Sequence, residues 1–242
     1  MSKKIHTIQS TDKEKFDDEV NLVLEYGCEL VEGSYEVIKK NDDVVYSQVI
    51  FFDDNNVMID WFSNGQIWRI GIYLDGKGSF FDYKLDGWSK EWYENGNLKS
   101  MKYYEDGELG DLTKYYDNGN KEKEVDYTGK NLSTYWYENG NRRSHGRLKK
   151  EIQSDGWSYD IRFGFWTHWY ENGNIWKEGK WINGDKYGLI NVEDGFWTYW
   201  YENGQKDYEV TFKDNEPKTI KSFHEDGSVT ETKYINPLST QP

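Results

Sequence analysis

Trp-Tyr-Glu-Asn-Gly recurs intact at Trp92–Gly96, Trp136–Gly140, Trp169–Gly173 and Trp200–Gly204. Looser copies stand at Trp61–Gly65, Tyr115–Gly119 and Phe223–Gly227. Every copy ends in Asn-Gly or Asp-Gly. That pair tolerates positive φ at both central positions of a type I′ turn, whose twist suits two antiparallel strands. Two aromatic residues just before the turn favour a pleated, half-buried strand. Repeated along most of the chain, the signal predicts a β-repeat array. Function in such an array belongs to a repeated surface and not to one active site.

The turn glycines set the period. Gly65, Gly96, Gly119, Gly140, Gly173, Gly204 and Gly227 are separated by 31, 23, 21, 33, 31 and 23 residues. A second turn follows about eleven residues after most of them, at Asp75-Gly76, Asp106-Gly107, Thr128-Gly129, Asn183-Gly184 and Asp214-Asn215. Two turns in a basic period of about 22 residues leave two strands of ordinary length. The three long units carry extra residues before the aromatic strand, at Lys77–Asp86, Arg147–Ile161 and Asp185–Asp194. These read as lengthened hairpins on one edge. The expected fold is all-β: consecutive antiparallel hairpins forming one long twisted sheet over residues 56–235, with a loose tail at 236–242.

Residues 1–55 lie outside the repeat and read as a cap of helix plus hairpin. Met1–Ser10 is expected to be loose. Thr11-Asp12-Lys13-Glu14 has the form of a capping box, and Phe16, Val20, Val23 and Leu24 follow at helical spacing. A helix over about Asp12–Tyr26 would cover the open end of the array, as terminal units of repeat proteins must. Val20–Leu24 also fits a strand. Ser34–Lys39, a turn at Asn41-Asp42-Asp43, and Val44–Phe52 read as a hairpin, with the next turn at 53–56.

A two-residue Asn-Gly loop opposes Tyr93 to Leu98 and Trp92 to Lys99, and alternation then gives two faces. One carries Tyr93, Tyr137, Tyr170 and Tyr201 with Leu98, Ile175, Trp166, Trp197, Tyr73, Tyr104, Tyr127, Trp181 and Phe212. The other carries a column of Trp61, Trp92, Tyr115, Trp136, Trp169, Trp200 and Phe223, opposed mainly by polar residues. The first is the better core, although a different loop length would exchange the two.

The 242 residues carry a net charge of −14, of which −8 falls within residues 1–60. Such a surface repels phosphates, which disfavours nucleic acid and anionic membranes as partners and favours a basic protein. Mean hydropathy is −1.00, yet 18% of residues are aromatic. Twelve Trp and twenty Tyr can build a core with few Leu, so the composition is not that of a disordered chain. Cys28 is the single cysteine, which suits a reducing compartment and excludes an internal disulfide. Residues 1–19 are polar with no apolar core of a signal peptide, and no apolar run approaches the roughly 18 residues that cross a bilayer. The expected location is cytoplasmic.

The unit Gly164–Gly184 resembles the bacterial MORN-repeat variant, with its Gly-x-Trp-x-x-Tyr-Tyr-x-Asn-Gly pattern followed by Leu or Ile, a Glu, an aromatic and Asn-Gly. Gly195–Phe212 and Asp86–Gly107 resemble it about as well, and the likeness spans roughly Val57–Tyr234. The resemblance implies consecutive hairpins in one sheet. Bacterial proteins of this kind are often labelled YwqK-type antitoxins of toxin–antitoxin systems, or immunity-like proteins, which implies binding of a protein and no chemistry. Relatives with plain MORN repeats imply a link to membrane lipids and scaffolding, against which the acidity of this chain stands.

Chemistry finds little support in the residues. His6, His145, His168 and His224 have no Cys or second His at metal-ligand spacing. His168 reads as a strand residue among tyrosines, and Cys28 as a small buried apolar residue. Neither a phosphate-binding glycine loop nor an EF-hand pattern occurs. Glu94, Glu138, Glu171 and Glu202 each precede a turn Asn. Their repetition argues for a solvated rim and against a catalytic pair, which is normally built once. The expectation is a non-catalytic interaction module with no cofactor and no metal. It would bind a basic, toxin-like protein through Trp92, Trp136, Trp169 and Trp200 together with Glu94, Glu138, Glu171 and Glu202. The indole column has a plain alternative, packing. A lipid-associated scaffold, or a carbohydrate binder using the indoles, remains the other functional reading.

Overall fold

The computed structural model describes residues 3–30, 34–40, 43–53, 57–72, 85–152, 158–183, 191–213 and 216–234. Asn41-Asp42, the turn at 54–56, most of Lys77–Asp86 and Asp185–Asp194, and the tail at 236–242 lie outside them. The chain divides into two compact units, residues 1–110 with 117–119, and residues 111–116 with 120–242.

The first unit begins with β1 (Lys3–Ser10), α1 (Lys13–Glu25), β2 (Glu29–Leu30), β3 (Glu36–Lys40) and β4 (Asp43–Asp53). β4 is the centre of a small antiparallel sheet, with β1 along one side and β2 and β3 along the other. The expectation of a loose Met1–Ser10 is therefore corrected. Lys3 to Ser10 pairs residue for residue with Asp53 to Tyr46, and Ile8 is buried. The β3–β4 hairpin and the helix stand where the residues placed them. The helix cap is one residue later than the Thr11 box: Asp12 Oδ1 accepts the N–H of Glu14 at 3.0 Å and of Lys15 at 3.2 Å. The helix ends in a Schellman motif. Gly27, at φ 81°, donates to Leu24 O, and Cys28 N–H donates to Val23 O.

Fourteen further strands pair antiparallel in chain order. In the first unit these are β5 (Val57–Trp61), β6 (Ile67–Ile72), β7 (Gly87–Trp92) and β8 (Leu98–Glu105). Phe16, Val23 and Tyr26 of the helical segment share one core with Ile8, Ile50, Ile59, Ile67 and Ile70, and Trp61 and Trp92 pack against it. The N-terminal segment thus lies on the indole side of the first hairpins. His6 stacks on Trp61 at 3.8 Å, and the Lys90 ammonium stands 3.6 Å from a Glu25 carboxylate oxygen. Cys28 is buried in this core, and burial pushes its thiol up to about 11. It behaves as the small apolar residue expected, with no thiolate to offer near neutrality.

β9 (Glu108–Tyr115) leads into the second unit. That unit holds β10 (Lys121–Asp126), β11 (Ser133–Trp136), β12 (Arg142–Ile152), β13 (Ser158–Trp169), β14 (Ile175–Asn183), β15 (Asn191–Trp200), β16 (Lys206–Lys213), β17 (Glu216–Phe223) and β18 (Val229–Tyr234). β12 and β13 pair out to Ile152 and Ser158, which makes Arg147–Ile161 a lengthened hairpin as read. The core here is a row that crosses the strands. Leu112 faces Val125, Ser133 faces Gly146, Gly146 faces Trp166, Trp166 faces Gly179, and Trp197 faces Val210. Trp166 and Trp197 are both 0% exposed. Small residues alternate with indoles because a flat ring needs room over the neighbouring strand. A Cβ on Gly146 would lie 2.2 Å from Trp166 Cδ2, and one on Gly179 would lie 2.2 Å from Trp197 Cδ2. The face carrying Trp166 and Trp197 is the core of this unit.

The strand register holds except at the turn itself. Glu91 opposes Ser100, the pairing a two-residue loop demands, but Trp92 opposes Leu98 and not Lys99. The loop has three residues. Tyr93 N–H donates to Asn97 O and Gly96 N–H donates back to Tyr93 O, both at 2.9 Å, with Gly96 at φ 88°. This is a type I turn closed by a glycine in the left-handed region, not type I′. One extra residue, Lys99, then bulges and restores the register. The same slip recurs at the pairs of Trp61, Tyr115, Trp136, Trp169, Trp200 and Phe223. Among the described residues, positive φ outside glycine occurs only at Asp106, whose turn with Gly107 is the type I′ case.

Candidate functional site

The first asparagine of the motif bonds through both ends of its amide in several copies. Asn139 Oδ1 accepts the N–H of Asn141, which closes its own turn, and Asn139 Nδ2 donates to Glu171 O in the next turn at 3.0 Å. Asn141 Nδ2 reaches the same carbonyl at 2.8 Å. Asn172 and Asn174 repeat both bonds to Glu202 O, each at 2.9 Å. Asn120 donates to Glu138 O at 2.8 Å. In the first unit Asn95 and Asn97 both donate to Asp117 O at 2.7 Å. The tyrosines add a second rail. Tyr116 donates to Trp136 O, Tyr137 to Trp169 O and Tyr170 to Trp200 O, at 3.0, 2.8 and 2.8 Å. The turns of Gly96, Gly119, Gly140 and Gly173 are each tied in this way to the turn that follows, through backbone carbonyls.

The ladder holds the rim acids in file. Glu138, Glu171 and Glu202 are exposed on successive turns of the second unit, as is Glu94 in the first. One hairpin is two strand spacings wide, so neighbouring turns stand roughly 10 Å apart. That is about one Debye length at physiological salt, close enough for the carboxylates to act on a partner together. Replacing Asn141 by Ala removes one bond between turns and one carbonyl partner. The expected cost is about 1 kcal/mol in urea unfolding, with no change in the far-ultraviolet circular dichroism.

The indole column is less open than its rim. Trp92, Trp136, Trp169 and Trp200 are all half-buried. Trp92 belongs to the first unit's core, and Lys121 lies over the Trp136 ring at 5.6 Å. Three aromatic rings that face solvent more openly were not singled out from the residues. Phe165 and Phe196 are 60% and 58% exposed, and Trp88 is 46% exposed. Alternation would have found them. Each is the middle residue of a Gly-x-Trp or Gly-x-Ser run whose third residue is buried, so it points to the opposite side.

The core face of the second unit holds an ion pair inside an aromatic cage. Lys177 Nζ sits 2.7 Å from Glu193 and between 5.0 and 5.6 Å from the rings of Trp176, Trp181, Trp197 and Tyr199. The Tyr199 hydroxyl donates to the same Glu193 carboxylate at 2.8 Å. His168 lies beside this cage, stacked on Trp166 at 5.9 Å and edge-on to Trp181. Burial, with Lys177, Arg162 and Arg143 nearby, pushes its imidazole down to about 3. Its neighbours are indoles more than the tyrosines expected, and a neutral ring is what that setting allows.

Among the described residues no group of three or more His, Cys, Asp or Glu could hold a metal ion, and no helix is long and apolar enough to cross a membrane. A cavity opens in the first unit, lined by α1 and by the repeat turns of Gly65 and Gly96.

Four stretches, 85–106, 108–128, 166–183 and 193–214, match the family model described as MORN repeat variant. Each frames one hairpin around a repeat turn, with the aromatic strand before it. A search of curated proteins finds no match to the chain.

Proposed function

We propose that the chain is a non-catalytic protein-interaction module of antitoxin or immunity type, whose rim of stacked turns meets a basic protein. Repeats of this family generally serve as protein- or membrane-interaction modules. The observation that carries the protein reading is the file of exposed glutamates Glu138, Glu171 and Glu202 on turns locked together by the asparagine ladder. A rigid row of like charges steers an oppositely charged partner and sets the salt dependence of association more than its final affinity. The net charge of −14 acts in the same direction.

The test compares the wild type with Glu138→Gln/Glu171→Gln/Glu202→Gln as baits in native lysate. The expected result is a basic protein held by the wild type at low salt, released at high salt, and depleted on the variant. With that protein purified, the variant is expected to associate about tenfold more slowly at low ionic strength with dissociation little changed. Growth arrest on expressing the captured protein alone, relieved by this chain, separates an antitoxin from other binding modules. Capture of nothing, or equal capture by both baits, sinks the reading.

A further inference from the structure

The cavity in the first unit encloses about 290 Å³. One wall is a single face of α1: Lys15, Asp18, Glu19 and Leu22 fall at i, i+3, i+4 and i+7, while Phe16 and Val23 turn to the core. The other wall is Ile67, Trp92 and Tyr93 from the ends of two hairpins. An indole and a phenol therefore face two carboxyls across a space the size of one side chain or a small ligand. The two acids are adjacent on the helix and Lys15 offsets one of them, which leaves the wall with one net negative charge. Glu19 is held in place, its carboxylate accepting the Ile67 N–H, and burial raises its pKa. Desolvation disfavours the charged carboxylate, the Ile67 N–H and the Lys15 ammonium favour it, and a second cation brought to the same wall would favour it further.

We propose that this cavity is an anchor pocket for a cationic side chain, an arginine guanidinium of the basic partner, stacked on Trp92 and bridged to Asp18 and Glu19. The assignment rests on the reading of a basic partner given above. The chemistry favours arginine over lysine. The guanidinium is planar and weakly hydrated, stacks on indole faces, and forks to paired carboxylate oxygens. Anions are disfavoured by the same two acids. Interfaces concentrate their binding energy in aromatic and arginine anchors whose pockets lose their water when the partner closes over them. Within the first unit the exposed Glu94, two residues from Trp92, adds to the attraction for a cation.

The probe is N-acetyl-arginine amide added to the full chain, read by the indole N–H signal of Trp92, assigned with Trp92→Phe. N-acetyl-citrulline amide, the neutral isostere, is the control. The expected result is a saturable shift with the arginine probe. It weakens by about tenfold or more with citrulline and in Asp18→Asn/Glu19→Gln, the loss of a charge-assisted pair in a semi-enclosed site. Thermal melting checks that the double variant is folded, and if it is not, the exposed single change Asp18→Asn carries the comparison. Glu138→Gln/Glu171→Gln/Glu202→Gln is expected to bind the probe as the wild type does. No shift, or equal shifts with both probes, overturns the pocket. Partner capture lost in the rim variant but undiminished in Asp18→Asn/Glu19→Gln also overturns it, while leaving the function reading intact. Probe binding without any basic partner supports the pocket chemistry and defeats the function reading instead.

Discussion

Gly179→Ala and Gly146→Ala are each expected to lower the melting temperature by roughly 10 °C, a loss of about 3 kcal/mol. The added methyl would stand 2.2 Å from the Cδ2 of Trp197 or Trp166, well inside contact distance. The ring cannot retreat without further loss. Both indoles are fully buried, and their Nε1–H groups donate to Lys180 O and Arg147 O at 3.2 and 3.0 Å. Overpacking and a strained or broken buried hydrogen bond therefore add. Gly110→Ala is the control, since its Cβ would find nothing nearer than 3.8 Å, and it is expected to change stability by under about 1 kcal/mol. Trp197→Leu combined with Gly179→Ala should cost less than the two single changes summed, because the smaller side chain vacates the space the methyl needs. Additive losses would show that the ring and the glycine do not share that space.

His168→Phe is expected to flatten the acid side of the stability profile. The imidazole is pushed down to about 3 in the folded chain from an ordinary value of 6.5. Between those values the unfolded chain binds a proton that the folded chain refuses. Stability then rises with pH across that window and falls as pH drops, by about 1.4 kcal/mol per pH unit from this one group. Urea titrations of wild type and variant at pH 7, 6, 5 and 4 measure the difference. The carboxylates act alike in both chains and cancel. Phe keeps the ring stacked on Trp166, so the variant should equal or exceed the wild type at pH 4 while differing little at pH 7. Parallel profiles would mean the ring accepts its proton while folded.

Much of the fold was legible because the repeat states its turns openly. The turn positions, the helix, the Arg147–Ile161 hairpin and the interior pairing of Glu91 with Ser100 all follow from local rules. β1 did not, because its partner β4 lies more than thirty residues away and Lys3–Ser10 offers only Ile5 and Ile8 as apolar signals. The three-residue loop was missed for a different reason. Asn-Gly suits type I′ by backbone freedom, but here the amide earns its place by bonding forward to the next turn, which only the stacked arrangement reveals. Exposure of the rim glutamates could be read from their position before each turn. The pocket could not, because it joins a helix face to the ends of two hairpins far along the chain, and nothing in the repeat motif of Trp92–Gly96 says which surface will stand over it.

In the forward ladder, the segment that offers the amide also carries the carbonyl its predecessor seeks. Each copy is recipient to the one before and donor to the one after. A whole hairpin deleted or duplicated within the run leaves no amide and no oxygen stranded. The pattern breaks toward both ends, where Gln replaces the second Asn: the Asn64 amide bonds the Gln66 side chain and the Asn203 amide that of Gln205. Length in such a protein is thus free to drift by entire copies, while the pitch at which its charges are presented is not.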